Sequence, residues 1–329
     1  MSSIGIALSR FSLPNLQALV RPARDRGGGL KTASGVHNNR GYRKEARQLD
    51  FPFFEVFWIL LVLAALMSVA RQRQVQKARI KLIRKIERKR GARLITLIHR
   101  QELISLFGIP LTRYINVEDS EQVLRAIRLT PPHLPIDLVL HTPGGLVLAS
   151  EQIARALLRH PAKVTVLVPH YAMSGGTMIA LSADEIIMDE NAVLGPVDPQ
   201  LGQFPAASIM EAVRRKGDER VSDRTLIMAD ISAKALNQVE DFVYYLLAGK
   251  MEEPTAREVA HMLASGRWTH DFPITAEKLQ GLGLPVTTGL SRDIYLLMEM
   301  YPQPAQRRPS VQFIPVPYEE EDVERRPRR

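Results

Sequence analysis

Two short turns hold the residue types that acyl transfer requires. His141-Thr-Pro-Gly-Gly145 and Met173-Ser-Gly-Gly-Thr177 each place a glycine pair just after an apolar run. Acyl transfer needs a nucleophile, a base, and N–H donors aimed at the oxyanion that develops in the transition state. Ser174 is the candidate nucleophile, because a serine at a strand-to-helix turn is exposed and near the positive end of the helix dipole. Gly144, Gly145, Gly175 and Gly176 allow close approach of a substrate and leave N–H groups free to donate. On local physics alone, such turns more often bind a phosphate or cofactor than hydrolyse a bond. The sequence has no GxGxxG and no GxxxxGK[ST], so neither a Rossmann cofactor nor a P-loop nucleotide is supported. No cofactor is expected, and no ATPase within this chain.

Several other residues invite a role. His141 and His170 sit at the ends of the strands that feed the two turns, where either could line a substrate groove or act as base; a satisfied structural histidine is the simpler reading. Asp184, Asp189 and Asp198 match no metal-loop spacing, so no metal site is expected. Thr177 and Ser182 read as packing residues. His270, in GRWTHDFPIT, reads as structural.

The elements that must position these residues alternate from Ala92 onward. ARLITLIHR, IDLVLHT, AKVTVLVPH and EIIMDE read as strands. EDSEQVLRAIRLT and LVLASEQIARALLRH read as helices, and AMSGGTMIALSA as a turn into a third. Near-continuous apolar strands separated by helices imply a parallel sheet covered on both faces. Such sheets place ligands beyond the carboxyl ends of their strands, where both glycine turns fall.

The net charge of +9 suggests nucleic acid until it is located. Residues 1–93 carry 20 Lys/Arg against 5 Asp/Glu, leaving 24 against 30 for 94–329. The basic character is N-terminal, the folded part is mildly acidic, and no nucleic-acid partner is expected. The absence of cysteine removes disulfides, thiolate zinc sites and a cysteine nucleophile. Residues 1–50 read as disordered. Phe51 to Ala70 is a 20-residue apolar run, long enough to cross a bilayer, with Glu55 near one end. Arg71 to Arg93 follows with 11 basic residues and one acid, so the positive-inside rule puts the C-terminal side in the cytoplasm. Residues 71–91 read as a basic amphipathic helix resting on lipid headgroups, with Ile80, Ile83 and Ile86 on its apolar face. Residues 92–302 read as one folded α/β domain, and 303–329 as a Pro-rich, charged, disordered tail.

The run from about Ile95 to Pro302 resembles the SDH (serine dehydrogenase proteinase) family of Clp-fold serine proteinases. The similarity is carried by HTPGGLVLASEQIARAL, VTVLVPHYAMSGGTMIAL, ADEIIMDENAVLGPVDPQLG and GRWTHDFPIT. ClpP, signal peptide peptidase A and the NfeD-type membrane proteases are looser relatives. The resemblance implies an α/β fold with a ClpP/crotonase-like β-α spiral, preceded here by a transmembrane helix. It also implies a serine endopeptidase with Ser174 as nucleophile. Gly145 and Gly175 fall on the two oxyanion-hole positions, with Gly144 shaping the first.

The base departs from ClpP. The stretch that carries the ClpP histidine, NAVLGPVDPQLG, has none and offers Asp198 instead. Signal peptide peptidase A and the NfeD-type proteases use lysine, which makes a serine–lysine dyad the expected alternative. Lys234, taken to open the helix ISAKALNQVEDFVYYLLAGK, is preferred over Lys216, which follows a solvated run. Either can act as base only if desolvation lowers its pKa. A second reading is a catalytically silent Clp-fold scaffold that binds peptides or membrane partners. By analogy with the fold, the chain is expected to form a homo-oligomer acting on peptide or membrane-protein substrates.

Overall fold

The computed structural model describes residues 53–99, 104–106, 109–111 and 114–301, with backbone alone at 53–55, 104–106 and 109–111. The expectations for residues 1–50 and 303–329 lie outside the described residues. Helix α1 (Phe53–Arg90) opens the described chain and runs unbroken for 38 residues. Gly91 ends it in the left-handed region (φ +64°), with its N–H on Glu87 O at 2.8 Å.

Strand β1 (Arg93–Ile98) follows, then the β2 (Ile104–Leu106) and β3 (Ile109–Leu111) hairpin and helix α2 (Val117–Arg128). Next come β4 (Ile136–His141), α3 (Val147–Leu158), β5 (Val164–Val168), β6 (Tyr171–Ala172), α4 (Gly175–Leu181) and β7 (Glu185–Met188). Short strands β8 (Val193–Leu194), β9 (Gln200–Leu201) and β10 (Phe204–Pro205) lead into α5 (Ala206–Lys216), α6 (Asp223–Leu247) and α7 (Glu253–Ala264). The last elements are β11 (Ile274–Thr275), α8 (Ala276–Gly281), β12 (Val286–Thr288) and α9 (Arg292–Glu299).

The central sheet is parallel throughout, in the order β1-β4-β5-β7-β12. All of β4 and β5 is buried, as a parallel sheet covered on both faces requires. Successive side chains on a strand point to opposite faces. Ile95, Leu97, Leu138, Leu140, Val166 and Val168 accordingly join the main core with α2, α3, α4, α6 and α7. Their alternates Leu94, Val139 and Leu167 join a second core with Ile86, Ile294, Leu297 and Met298.

The second core changes the reading of the basic segment. Side chains from Val56 to Ala78 are exposed, but Ile86 is buried and Leu82 and Ile83 pack against its cluster. The last turns of α1 therefore pack as a layer on the sheet, continuous with the rest of the helix. Fixed contacts hold them there. Arg90 bonds the buried Asp137 of β4 through two nitrogens, Lys85 reaches Asp293 of α9 at 2.8 Å, and Arg79 donates to Met300 O at 2.6 Å. The apolar face of this segment had two possible apolar surfaces to cover, bilayer or sheet, and Ile83 and Ile86 cover the sheet.

Candidate active site

Both glycine turns lie at the carboxyl end of the parallel sheet, as expected. Thr142 follows β4, and β6 continues from β5 toward Ser174. The two turns are tied edge to edge: Thr142 N donates to Tyr171 O at 3.2 Å and Met173 N to Thr142 O at 3.0 Å. Ser174 caps α4 with φ +51° and ψ −117°, and among the described residues it alone of the non-glycines has positive φ. A side chain held in that region is strained, and strain of this kind collects at active sites. The half-buried Ser174 hydroxyl makes no hydrogen bond among the described residues.

The glycines are required by contact. A Cβ on Gly144 would lie 2.8 Å from Ser174 Cβ, and one on Gly145 would lie 2.2 Å from Ile115 O. One on Gly175 would meet Ser150 Oγ at 2.2 Å and sit 3.6 Å from Gly145 N. The turn around Gly144 has most of its donors engaged. Gly144 N donates to Thr142 Oγ1 (3.2 Å) and Leu146 N to Ile115 O (2.8 Å). Among the described residues, the N–H groups of Gly145 and Gly175 remain unengaged, one in each turn. Two unengaged N–H donors beside a strained serine are the groups that stabilising an oxyanion calls for.

A second three-stranded sheet, in the order β11-β8-β6, organises what faces the serine. Strands β6 and β8 are parallel, so their carboxyl ends, Ser174 on one side and Gly195 to Asp198 on the other, leave the sheet together. Strand β11 runs antiparallel to β8, which brings its incoming segment, with His270, to the same end. Thr177 ties α4 to this edge: its Oγ1 lies 2.8 Å from Gly195 O, 2.9 Å from Ala172 O, and accepts Gly195 N–H at 3.1 Å. Thr177 is thus more than packing.

His270 and Asp198 form a bonded pair there. His270 Nδ1 donates to Asp198 Oδ1 at 2.7 Å, and Gln200 Nε2 donates to Asp198 Oδ2 at 2.6 Å. Asp198 is buried, whereas His270 is 36% exposed. The hydrogen bond to Asp198 raises the His270 pKa above its ordinary 6.5, against the lowering effect of burial. With Nδ1 bound to the carboxylate, Nε2 is the nitrogen left to exchange a proton.

A family of ClpP-like SDH-type serine proteinases matches residues 46–328. The chain belongs to this family. Two uncharacterized proteins of Methanocaldococcus jannaschii are similar to the proteinase: one is 56% identical over 85% of this chain and 94% of its own length, the other 55% over 81% and 93%. The solved structure of ClpP1 from Listeria monocytogenes matches 61% of this chain and 92% of its own at 13% identity, with a TM-score of 0.39. The chain is a serine peptidase of ClpP-like α/β fold, with one helix apolar and long enough to cross a membrane among the described residues.

The remaining candidates of the proteinase lie as follows. Lys234 is in mid-helix, because α6 starts at Asp223 behind a Ser222 cap, and not where the sequence pattern suggested. Its side chain is 67% exposed and pairs with Asp230 at 2.5 Å, which is not the desolvated setting a lysine base requires. Lys216 is exposed at the last residue of α5. His141 is buried, with its ring 4.3 Å from that of Tyr171 and 5.7 Å from that of the exposed His170. Asp184 accepts Val164 N–H at 2.7 Å, and Asp189 accepts Asn191 N–H at 2.8 Å. Among the described residues no cluster of three His, Cys, Asp or Glu is placed to hold a metal.

His270 is the residue the sequence reading assigned only to structure. Its signal lay in Trp268-Thr-His-Asp-Phe272, whose outer rings stack at 5.3 Å and 6° across a turn closed by Phe272 N–H on Thr269 O. Both rings pack against the main core and so hold the turn that carries His270.

Proposed function

We propose that the chain is a membrane-anchored serine endopeptidase that forms an acyl-enzyme on Ser174, with His270 as base and Asp198 orienting it. In this reading Ser174 Oγ attacks the scissile carbonyl carbon as its proton passes to His270 Nε2. The carbonyl oxygen, now an oxyanion, takes the N–H groups of Gly145 and Gly175. The His270 imidazolium then protonates the leaving amine, and the C–N bond breaks. Water, deprotonated by His270, attacks the ester, and Ser174 recovers its proton as the acid product leaves. The observation that carries the proposal is the β11-β8-β6 sheet, from one end of which both a strained serine and a carboxylate-bound histidine emerge.

A groove of about 630 Å³ begins one residue beyond Gln200, lined by Leu201, Phe204, Ile209, Met228 and Arg224 among others. It supports a peptide substrate carrying large apolar side chains. Peptide or membrane-protein segments, a lipid-bilayer anchor at 51–70, a cytoplasmic catalytic domain and a homo-oligomer complete the proposal. A fluorophosphonate probe on the detergent-solubilised full chain tests it, with peptide hydrolysis measured in parallel. Wild type should label and hydrolyse, Ser174→Ala should do neither, and His270→Ala should lose hydrolysis while Lys234→Ala keeps it. Loss in Lys234→Ala with His270→Ala intact would replace the histidine by a lysine dyad. A folded wild type that neither labels nor cleaves would leave the scaffold reading.

A further inference from the structure

Behind the first glycine turn lies a buried polar chain that the acyl-transfer steps do not use. Among the described residues, Thr142 Oγ1 accepts the Gly144 N–H at 3.2 Å and lies 2.9 Å from His99 Nδ1. His99 Nε2 lies 3.2 Å from Asp119 Oδ2. Thr142 is fully buried and the His99 side chain only 6% exposed. Asp119 belongs to the capping box of α2, where it also accepts Asn116 N–H at 3.0 Å and Asn116 Oδ1 accepts Asp119 N–H at 2.9 Å.

The distances assign one direction to the protons. The Asp119 carboxylate beside Nε2 favours the His99 proton on that nitrogen, which leaves Nδ1 as acceptor for the Thr142 hydroxyl. That choice is favoured over Gly144 O, which stands at 3.4 Å. The Thr142 oxygen is then free to accept from Gly144 N. Gly144 donates to Thr142 and Thr142 to His99, whose far nitrogen faces the Asp119 carboxylate, so these contacts polarise one another in one sense. The same segment holds the turn from its other side: Ile115 N donates to Gly144 O at 2.8 Å, and Leu146 N donates to Ile115 O. Both peptide groups flanking Gly144 are thereby fixed, and the trans peptide with its carbonyl on Ile115 turns the Gly145 N–H away from Ile115.

We infer that Thr142, His99 and Asp119 are positioning residues that aim the Gly145 oxyanion donor through the Gly144 peptide. The inference rests on the acyl-enzyme reading of Ser174 and extends it from the donors to what orients them. A misaimed donor weakens an interaction made only in the transition state, so the cost falls on kcat and leaves KM in place.

The test uses detergent-solubilised full chain and a chromogenic peptide, with a peptide aldehyde as transition-state mimic. Thr142→Val keeps the methyl that packs on Gly176 and removes the hydroxyl. It should lower kcat by roughly 100-fold, the scale of losing one oxyanion donor, with KM within about twofold. Its aldehyde affinity should fall in step with kcat/KM, and Thr142→Ser should restore both to within a few-fold of wild type. Asp119→Asn, which leaves Thr142 intact, should give a smaller loss of the same kind, and serves if Thr142→Val does not fold. Unchanged kcat in folded Thr142→Val overturns the inference, as does a fall in kcat that leaves aldehyde affinity untouched. The Ser174→Ala control separates the two readings: if it cleaves as wild type does, the acyl-enzyme falls and the inference with it. If Ser174→Ala is dead but Asp119→Asn and Thr142→Val match wild type, only the inference falls.

Discussion

At Asp198, exchanging the carboxylate for an amide should separate orientation from nucleophilicity. Asp198→Asn keeps Ser174 and the oxyanion donors but leaves His270 without the acceptor that fixes its tautomer. In the well-studied chymotrypsin triad the equivalent change costs about 10,000-fold in kcat, and a loss of that order is expected here. The pH profile gives the sign. A base must be neutral to accept a proton, and Asp198 holds the His270 pKa above 6.5, so the acid limb of kcat/KM should lie above pH 6.5. Asp198→Asn should move what remains of that limb downward. Stability runs the other way: the His270–Asp198 pair contributes fully below pH 6.5 and is lost as pH rises through the raised pKa. The enzyme should therefore gain activity and lose that contribution over one pH interval, which rate assays and thermal melts on the same samples would check. The two glycine turns and their place beyond the carboxyl ends of the strands were legible in sequence because glycine pairs after apolar runs are local signals, while the roles expected of Ser174, Gly145 and Gly175 came from the family resemblance. His270 was not, because 72 residues separate it from Asp198 and only the two-residue strands β8 and β11 join them. Strands that short have no periodicity to read.

Among the elements, α4 ends on a part-buried lysine ammonium bonded to backbone carbonyls, and α1 on an ion pair with a buried carboxylate. Lys250 Nζ donates to Leu181 O and Ala183 O, both at 2.7 Å, at the end of the helix that Ser174 begins. Burial pushes its ammonium down to about 8, with Asp184 acting in the opposite sense. Lys250→Met should cost about 2 kcal/mol, since it strips charged donors from two helix-end carbonyls. Because the folded pKa lies below the ordinary 10.5, the unfolded chain binds more protons between pH 8 and 10.5. Over that interval the stability due to Lys250 should rise with pH, and the deficit of Lys250→Met measured by urea denaturation should widen. In α1, Arg90→Met should cost about 3 kcal/mol by leaving the Asp137 carboxylate buried without its guanidinium, again read by denaturation. Sequence periodicity showed the parallel sheet plainly, since β4 and β5 are unbroken apolar runs. It misplaced the start of α6, because the stretch from Asp223 to Asp230 has no clear apolar stripe and its Ser222 cap went unread.

The chain as a whole combines an exposed apolar stretch with a helix end built into the catalytic core. All described side chains from Val56 to Ala70 are exposed, and 20 apolar residues suffice for a bilayer. A variant beginning at Arg71 keeps the packed turns of α1 and should move from the membrane fraction to the soluble one while retaining hydrolysis. Persistence in the membrane after carbonate extraction would place the anchor elsewhere. Orientation is open to a simple probe because the chain has no cysteine. Asp218→Cys on the exposed turn after α5 should react with an impermeant maleimide in inside-out vesicles and stay silent in intact cells. The opposite pattern would put the domain outside.

The positive φ of Ser174 also affects how inactive forms of this enzyme will behave. At φ +51° a glycine is at ease and any side chain is not, by an amount on the order of 1–3 kcal/mol. Ser174→Ala retains that strain and so isolates the hydroxyl, whereas Ser174→Gly removes hydroxyl and strain together and should melt at a higher temperature than wild type. The mutational route to greater heat resistance at this position is thus also the route to inactivity. A lineage that lost the need for the chemistry would find glycine here favoured by stability alone.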